Sequence, residues 1–279
     1  MPSFNYKKYG CTAHVPFART ALLLASIAGV SLSQVTSAVG APTVESYFKP
    51  EPKAGERYAD IFSKADSIKG QGFNEIVRRI SGTSVMKVLA PSPGHPALTM
   101  QSRYDGTPEQ TFQVDVREGG TIICFDGKCG INSDTSATWF NPLLWGMPRK
   151  ELRPGLEWIV DINKAWEIGP PGTETVRVMS VDSVNHVVML SRVGKGEGFS
   201  TDDLERPSRS ITIHGKVGNA LVKPGPSSWS GQIIIQNGIV MSDEILLERH
   251  VTLVSELGTF EGEERVYTLF NAMPIVPPS

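Results

Sequence analysis

Gln232-Ile233-Ile234-Ile235-Gln236-Asn237-Gly238-Ile239-Val240-Met241 decides the fold. Two apolar, β-branched runs flank Asn-Gly, the dipeptide that best supplies two consecutive positive-φ residues for a type I′ turn. The stretch therefore reads as a β-hairpin with strands over Gln232–Gln236 and Ile239–Leu247. A helix over 243–250 is the weaker reading, because β-branched residues lie on either side.

Working outward, the same grammar recurs. Thr111–Arg117 alternates Phe112, Val114 and Val116 with Gln113, Asp115 and Arg117, the pattern of a half-buried antiparallel strand. Thr175–Val181 and Val187–Val193 are strands joined at Asp182-Ser183-Val184-Asn185; Val187 to Leu190 is apolar on both faces. Ser84–Leu89, Leu98–Tyr104, Leu156–Ile162, Ser210–His214, Val251–Glu256 and Arg265–Phe270 complete the set, the last two as a final hairpin. Gly194 to Arg209 is glycine-rich and polar and reads as a mobile loop.

Thr121 to Gly130 is a second hairpin, turning at Asp126-Gly127. Phe125 and Lys128 close it as a hydrogen-bonded pair. Cys124 and Cys129 then face each other where side chains approach most closely, a geometry that suits a disulfide. A redox couple and half a metal site are the competing readings. Redox chemistry lacks the Cys-x-x-Cys spacing and the βαβ context.

The N-terminus differs from everything else. Lys7, Lys8 and Arg19 precede an apolar run from Ala21 to Leu32, followed by small residues through Ala41. This is the layout of a signal peptide, with cleavage after Ala38, Gly40 or Ala41. An uncleaved anchor is the alternative. Cys11 leaves with that segment, so Cys124 and Cys129 remain as a pair in an oxidising compartment. The expected location is the bacterial periplasm, with release from the cell second. The 279-residue chain carries a net charge of −2. Loss of three basic residues leaves the mature form near −5, a poor match to nucleic acid or anionic membrane surfaces. After processing, no apolar stretch has the length of a membrane span.

The expected organisation is a signal peptide over 1–40, a leader over 41–55, and one β-rich domain over 56–279. Within the leader and domain start, Tyr58, Ile61, Phe62, Ala65 and Ile68 follow i, i+3, i+4, i+7 spacing, which predicts an amphipathic helix ending at Gly70. Phe73, Ile76, Val77 and Ile80 repeat it, with a strand over 74–80 as the alternative and Arg78 and Arg79 on a solvated face. The fold class is thus mainly β, an antiparallel curved sheet (half-barrel or sandwich) with one or two N-terminal α-helices.

Chemistry is sparse. His95, His186, His214 and His250 share no metal spacing, and no Gly-x-Ser-x-Gly or His-Glu-x-x-His occurs. Asp161, Glu167 and Glu174 have no spacing that marks an acid–base pair. No catalytic residue, metal or cofactor is expected. The unusual concentration is 133–172, an aromatic and proline-rich insertion holding four of the five tryptophans. Trp139, Phe140, Leu143, Trp145, Trp158 and Trp166 form the candidate apolar ligand site. Core packing of the same rings is the competing reading, and the favoured one.

An amphipathic helix, then a meander with a strand leading into Phe125-Asp126-Gly127-Lys128, resembles the LolA/LolB-like periplasmic lipoprotein carriers and receptors over roughly residues 56–132. The resemblance implies a half-barrel around an apolar cavity. The expected function is therefore non-catalytic binding of a lipid-like ligand or an envelope partner. The alternatives are a structural or interaction module without a small ligand, and a periplasmic hydrolase.

Overall fold

The computed structural model describes residues 44–48, 53–89, 98–102, 110–117, 120–125, 128–132, 148 and 150–275. All belong to one compact unit, Ala41–Ser279. Its architecture is a single unclosed antiparallel sheet with very little helix.

The strands are β1 (Arg57–Gly70), β2 (Ile76–Leu89), β3 (Leu98–Ser102), β4 (Gln110–Arg117), β5 (Gly120–Phe125) and β6 (Lys128–Asn132). They continue as β7 (Glu157–Ile162), β8 (Gly172–Asp182), β9 (Val187–Gly196), β10 (Ser208–Ile213), β11 (Lys216–Gln236), β12 (Ile239–Ser255) and β13 (Gly258–Pro274). The order across the sheet is β6-β5-β4-β3-β2-β1-β13-β12-β11-β9-β8-β7, and β10 pairs with β11. Among the described residues there are two five-residue helices, α1 (Val44–Phe48) and α2 (Thr201–Glu205).

The Asn-Gly hairpin forms as its residues dictate. Asn237 and Gly238 take φ of 51° and 74°, and Gln236 pairs with Ile239. β11 and β12 are much longer than the local pattern suggests. β11 absorbs Pro224-Gly225-Pro226 at a register shift between Pro224 and Ser227, where missing N–H donors are tolerated. The first half of β11 pairs with β10 and the second half with β9. The final hairpin, β12–β13, holds Val251 opposite Gly262 and Leu253 opposite Phe260.

The largest departure from the sequence reading is at the start of the domain. The segment expected to be helical over 58–68 is strand β1, paired with β13 on one side and β2 on the other. Its buried positions have period two: Tyr58, Asp60, Lys64, Asp66 and Ile68, with Phe62 packed on the core. Three of these are charged, so apolarity alone could not reveal the alternation. The helical stripe counted Ile61, which the strand turns outward and leaves 44% exposed. Over 74–80 the alternative strand reading holds, and Arg78 turns inward to an ion pair while Arg79 stays exposed. The helix on which the lipoprotein-carrier resemblance relied is therefore absent from 56–70. Residues before Val44 lie outside the described residues.

Among the described residues, two apolar clusters lie on the inward face. The larger unites α1, β7, β8, β9 and β11–β13, including Val160, Val176, Leu190, Trp229, Ile233, Leu247 and Phe270. The smaller joins Ile68, Ile211, Ile213, Ala220, Val222, Val251 and Leu253. Strands far apart in the sheet order thus share one core, so the sheet curls over its own inward face. Asn74, just before β2, donates its N–H to the carbonyl of Thr212 in β10 at 2.9 Å.

In the second hairpin Phe125 pairs with Lys128 and Cys124 with Cys129 in the β5–β6 register; the turn residues Asp126 and Gly127 lie outside the described residues. A disulfide there would close a loop that the hairpin already closes. Replacing both cysteines with Ser should therefore cost less than about 2 kcal/mol in urea unfolding, below the usual range for a disulfide. A loss above about 4 kcal/mol would show that the pair carries the fold.

Candidate functional site

The feature that the sequence did not announce is an ionic network under the inward face. It begins at α2. Ser200 caps this helix: its Oγ accepts the N–H of Asp203 at 3.1 Å, and Asp203 Oδ2 accepts the Ser200 N–H at 2.9 Å. This capping box fixes Asp203 beneath the sheet. The N–H groups of Thr201 and Asp202 donate to the carbonyls of Trp166 and Glu167. Residues 194–209, read from sequence as a mobile loop, are thus the end of β9, an anchored helix and the start of β10. The polarity that suggested solvent exposure is spent on buried ion pairs.

Asp203 receives both guanidinium nitrogens of Arg249, on β12, at 2.7 and 2.8 Å. Arg249 Nε donates to Glu264 on β13. Asp202 is held by Lys64 of β1, by Arg78 at 3.1 Å and by Arg206 at 2.8 Å. Lys64 also meets Glu167 at 3.3 Å, and its side chain is 4% exposed. Arg209 lies 3.9 Å from both Asp66 and Asp203. Five acids (Asp66, Glu167, Asp202, Asp203, Glu264) meet five bases (Lys64, Arg78, Arg206, Arg209, Arg249), an equal number of each.

The electrostatics follow from this geometry. Burial pushes Asp202 and Asp203 up, but Lys64 and Arg249 outweigh it and hold both below the ordinary aspartate range. Glu264 goes the other way. Burial dominates, Arg249 opposes it, and the neighbouring Asp66 adds repulsion, so its pKa is pushed up to about 7. Folded Glu264 then holds its proton more tightly than the unfolded chain does. Its contribution to stability is complete below pH 4.5 and is lost as pH rises toward 7. The depressed Asp202 and Asp203 act in the opposite sense, losing their contribution as pH falls below 3.8. Unfolding free energy should fall between pH 4.5 and 7, and Glu264→Gln should flatten that slope. A slope unchanged in the variant would assign it to another group.

A second polar group sits in the larger core. Arg192 meets Asp243 at 2.5 Å with both buried. Trp229 Nε1 donates to Glu174 Oε2 at 2.7 Å across β9, where Gly194 lies between them in register. Burial raises the Glu174 pKa against the opposing pull of Arg192 and the indole.

Ser200 is consumed by capping, both Asp203 oxygens are taken, and Lys64 is ion-paired. The crevice lined by Lys64, Asp66, Asp203, Arg249 and Glu264 admits about one water molecule, far below the several hundred Å³ of a typical ligand site. Among the described residues, no group of three or more His, Cys, Asp or Glu side chains is placed to hold a metal.

Of the expected ligand-site residues, Trp166 is buried in the larger core, edge-to-face with Trp229 at 5.6 Å and 73°. Its indole N–H donates to the Pro170 carbonyl at 3.2 Å. Trp158 packs against the same core from β7. These two rings follow the core-packing reading. Trp139, Phe140, Leu143 and Trp145 lie outside the described residues, as does whether Cys124 and Cys129 are bonded. Sequence reasoning missed Asp203, Arg249 and Glu264 because they are remote from one another in the chain. The one local signal was Ser200-Thr201-Asp202-Asp203, whose Ser-x-x-Asp spacing marks a capping box.

Among the described residues, β7 stands last in the sheet order. It hydrogen-bonds to β8 on one side, with Glu157 opposite Arg177, Ile159 opposite Thr175 and Asp161 opposite Thr173. Val178 donates its N–H to the Leu156 carbonyl, which sets the ladder phase: even-numbered residues bond to β8. The N–H and C=O groups of Glu157, Ile159 and Asp161 therefore point away from the sheet.

No family model matches the sequence, and no curated protein matches it. Among solved structures, an outer membrane channel from Pseudomonas putida is similar at 7% identity and a TM-score of 0.21, with 80% of this chain and 97% of that chain covered.

Proposed function

We propose that this chain is a non-catalytic protein of the cell envelope that works through its surface, by binding a protein partner. The observation that supports this most is the filling of the inward face among the described residues. Among the described residues, side chains of the protein fill it with two apolar clusters and a buried ionic network, and the crevice beside that network is of water size. The outward face is water-compatible. Glu157 and Arg177 form one cross-strand pair, and Glu248 and Arg265 another; charges on such a face would be costly against lipid. No helix among the described residues is long and apolar enough to cross a membrane.

The envelope location rests on the signal-peptide layout of the N-terminus and on the facing Cys124 and Cys129. Export with cleavage after Ala38, Gly40 or Ala41 is read directly by N-terminal sequencing of the secreted chain.

The interior assignment is tested by fluorescence. The purified protein should show blue-shifted emission from Trp166 and Trp229 that resists acrylamide, and it should not take up an environment-sensitive apolar dye. Dye uptake that displaces a copurified lipid would return the function to apolar-ligand carriage. Turnover on ester, peptide or glycan panels would make the chain an enzyme.

A further inference from the structure

We propose that the edge of β7 turned away from β8, which pairs with no other described strand, accepts an added β-strand from a protein partner, and that this strand presents basic, apolar and basic side chains opposite Glu157, Ile159 and Asp161. The proposal rests on the surface-binding reading above and assigns it a place and a partner chemistry.

Exposed sheet edges are templates for strand addition, and proteins usually blunt them with lysine, proline, bulges or covering segments. β7 carries none of the first three. Its inward side chains, Val160 and Ile162, are buried and anchor the strand, while Trp158 packs on the core. The backbone is thus held extended before any partner arrives, which reduces the ordering cost of binding. At its centre Ile159 is 72% exposed. In register beside it run Thr175 of β8 and Val193 of β9, the latter 62% exposed. An added strand would extend this outward row, so an apolar residue belongs opposite Ile159.

Charge decides the flanks. Glu157 and Asp161 bracket Ile159 on the same outward face. Arg177 meets Glu157 at 3.7 Å, but both are more than half exposed, so this pair is weak and leaves the carboxylate open to a second cation. The same charges exclude a second copy of this chain. Antiparallel pairing about Ile159 would set Glu157 against Asp161 of the other copy twice, and like charges directly opposite are destabilising. The edge therefore rejects itself and selects a basic strand, a combination that serves partner specificity.

The test uses the full chain and two labelled synthetic peptides of about nine residues. One alternates threonine with lysine, valine and lysine; the other has glutamate in place of lysine. Fluorescence anisotropy at low salt should show the basic peptide binding at least about tenfold more tightly than the acidic one, with affinity falling as salt rises. Ile159→Pro removes an N–H that faces outward and spares the ladder to β8; it should abolish binding. Should that variant fail to fold, the Glu157→Lys and Asp161→Lys double variant keeps the backbone donors and should reverse the preference toward the acidic peptide. Equal binding of both peptides, no binding of the basic one, or binding untouched by these substitutions would overturn the proposal. So would a dimer of the wild-type chain that Ile159→Pro dissolves. A lipid-free, dye-negative protein that ignores the basic peptide sinks the edge assignment alone, whereas copurified lipid sinks the surface-binding reading.

Discussion

Arg249→Ala should lower the unfolding free energy by about 3–5 kcal/mol, the range for removing one partner of a buried ion pair. Arg249 is buried between β13 and α2, bonded to Glu264 through Nε and to Asp203 through both terminal nitrogens. Alanine would leave those carboxylates facing each other and Asp66 without their principal counter-charge. For a domain of this size the loss corresponds to about 6–20 °C in Tm. The deficit should also depend on pH. Stranded carboxylates take up protons, so the variant should approach wild type as the medium is acidified. Scanning calorimetry at several pH values checks both features. A change below about 1 kcal/mol would mean that the network is solvated and does not hold α2 to the sheet.

The second large effect is expected at Gly194→Ala. A methyl group there would fall well inside contact distance of Trp229 Cε2 and Nε1. The indole lies across the glycine and reaches Glu174 on the next strand. Its displacement would combine overpacking, about 1–3 kcal/mol, with loss of a hydrogen bond to a buried carboxylate, about 1.5–3 kcal/mol. It would also disturb the edge-to-face contact with Trp166. The variant should show altered near-ultraviolet circular dichroism and a destabilisation of about 3–5 kcal/mol in urea. Wild-type stability with an unchanged aromatic spectrum would mean that the ring does not cover Gly194.

These two sites explain where sequence reading succeeds and where it fails. Asn237-Gly238 is legible because its backbone requirement is local: two positive φ values next to alternating apolar residues leave little else. β4, β5 and the facing of Cys124 with Cys129 are legible for the same reason. β1 is not, because Asp60, Lys64 and Asp66 occupy the positions that apolar residues normally mark. The partners of Lys64 lie more than a hundred residues away, Asp202 in α2 and Glu167 in the 166–170 bend, and only the folded sheet brings them together. Residues 194–209 mislead in the same way, since buried charge and solvated charge look alike in a sequence. The aromatic segment was informative in part. Trp166 is a core ring, but its packing partner is Trp229, the single tryptophan outside that segment.

The separation also orders the biology. Buried ionic networks are costly to desolvate and serve geometry better than raw stability. Here the network ties α2 to β1, β2 and β12. Among the described residues, β7 pairs with β8 alone. Under the proposed function, interior and surface have divided roles, one filled and one open to a partner.

Native mass spectrometry of the exported protein, purified without detergent or denaturant, tests that division most directly. The account predicts a mass equal to the processed chain alone, or to the chain with a protein partner. A stoichiometric added mass in the lipid range, released only on unfolding, would contradict it.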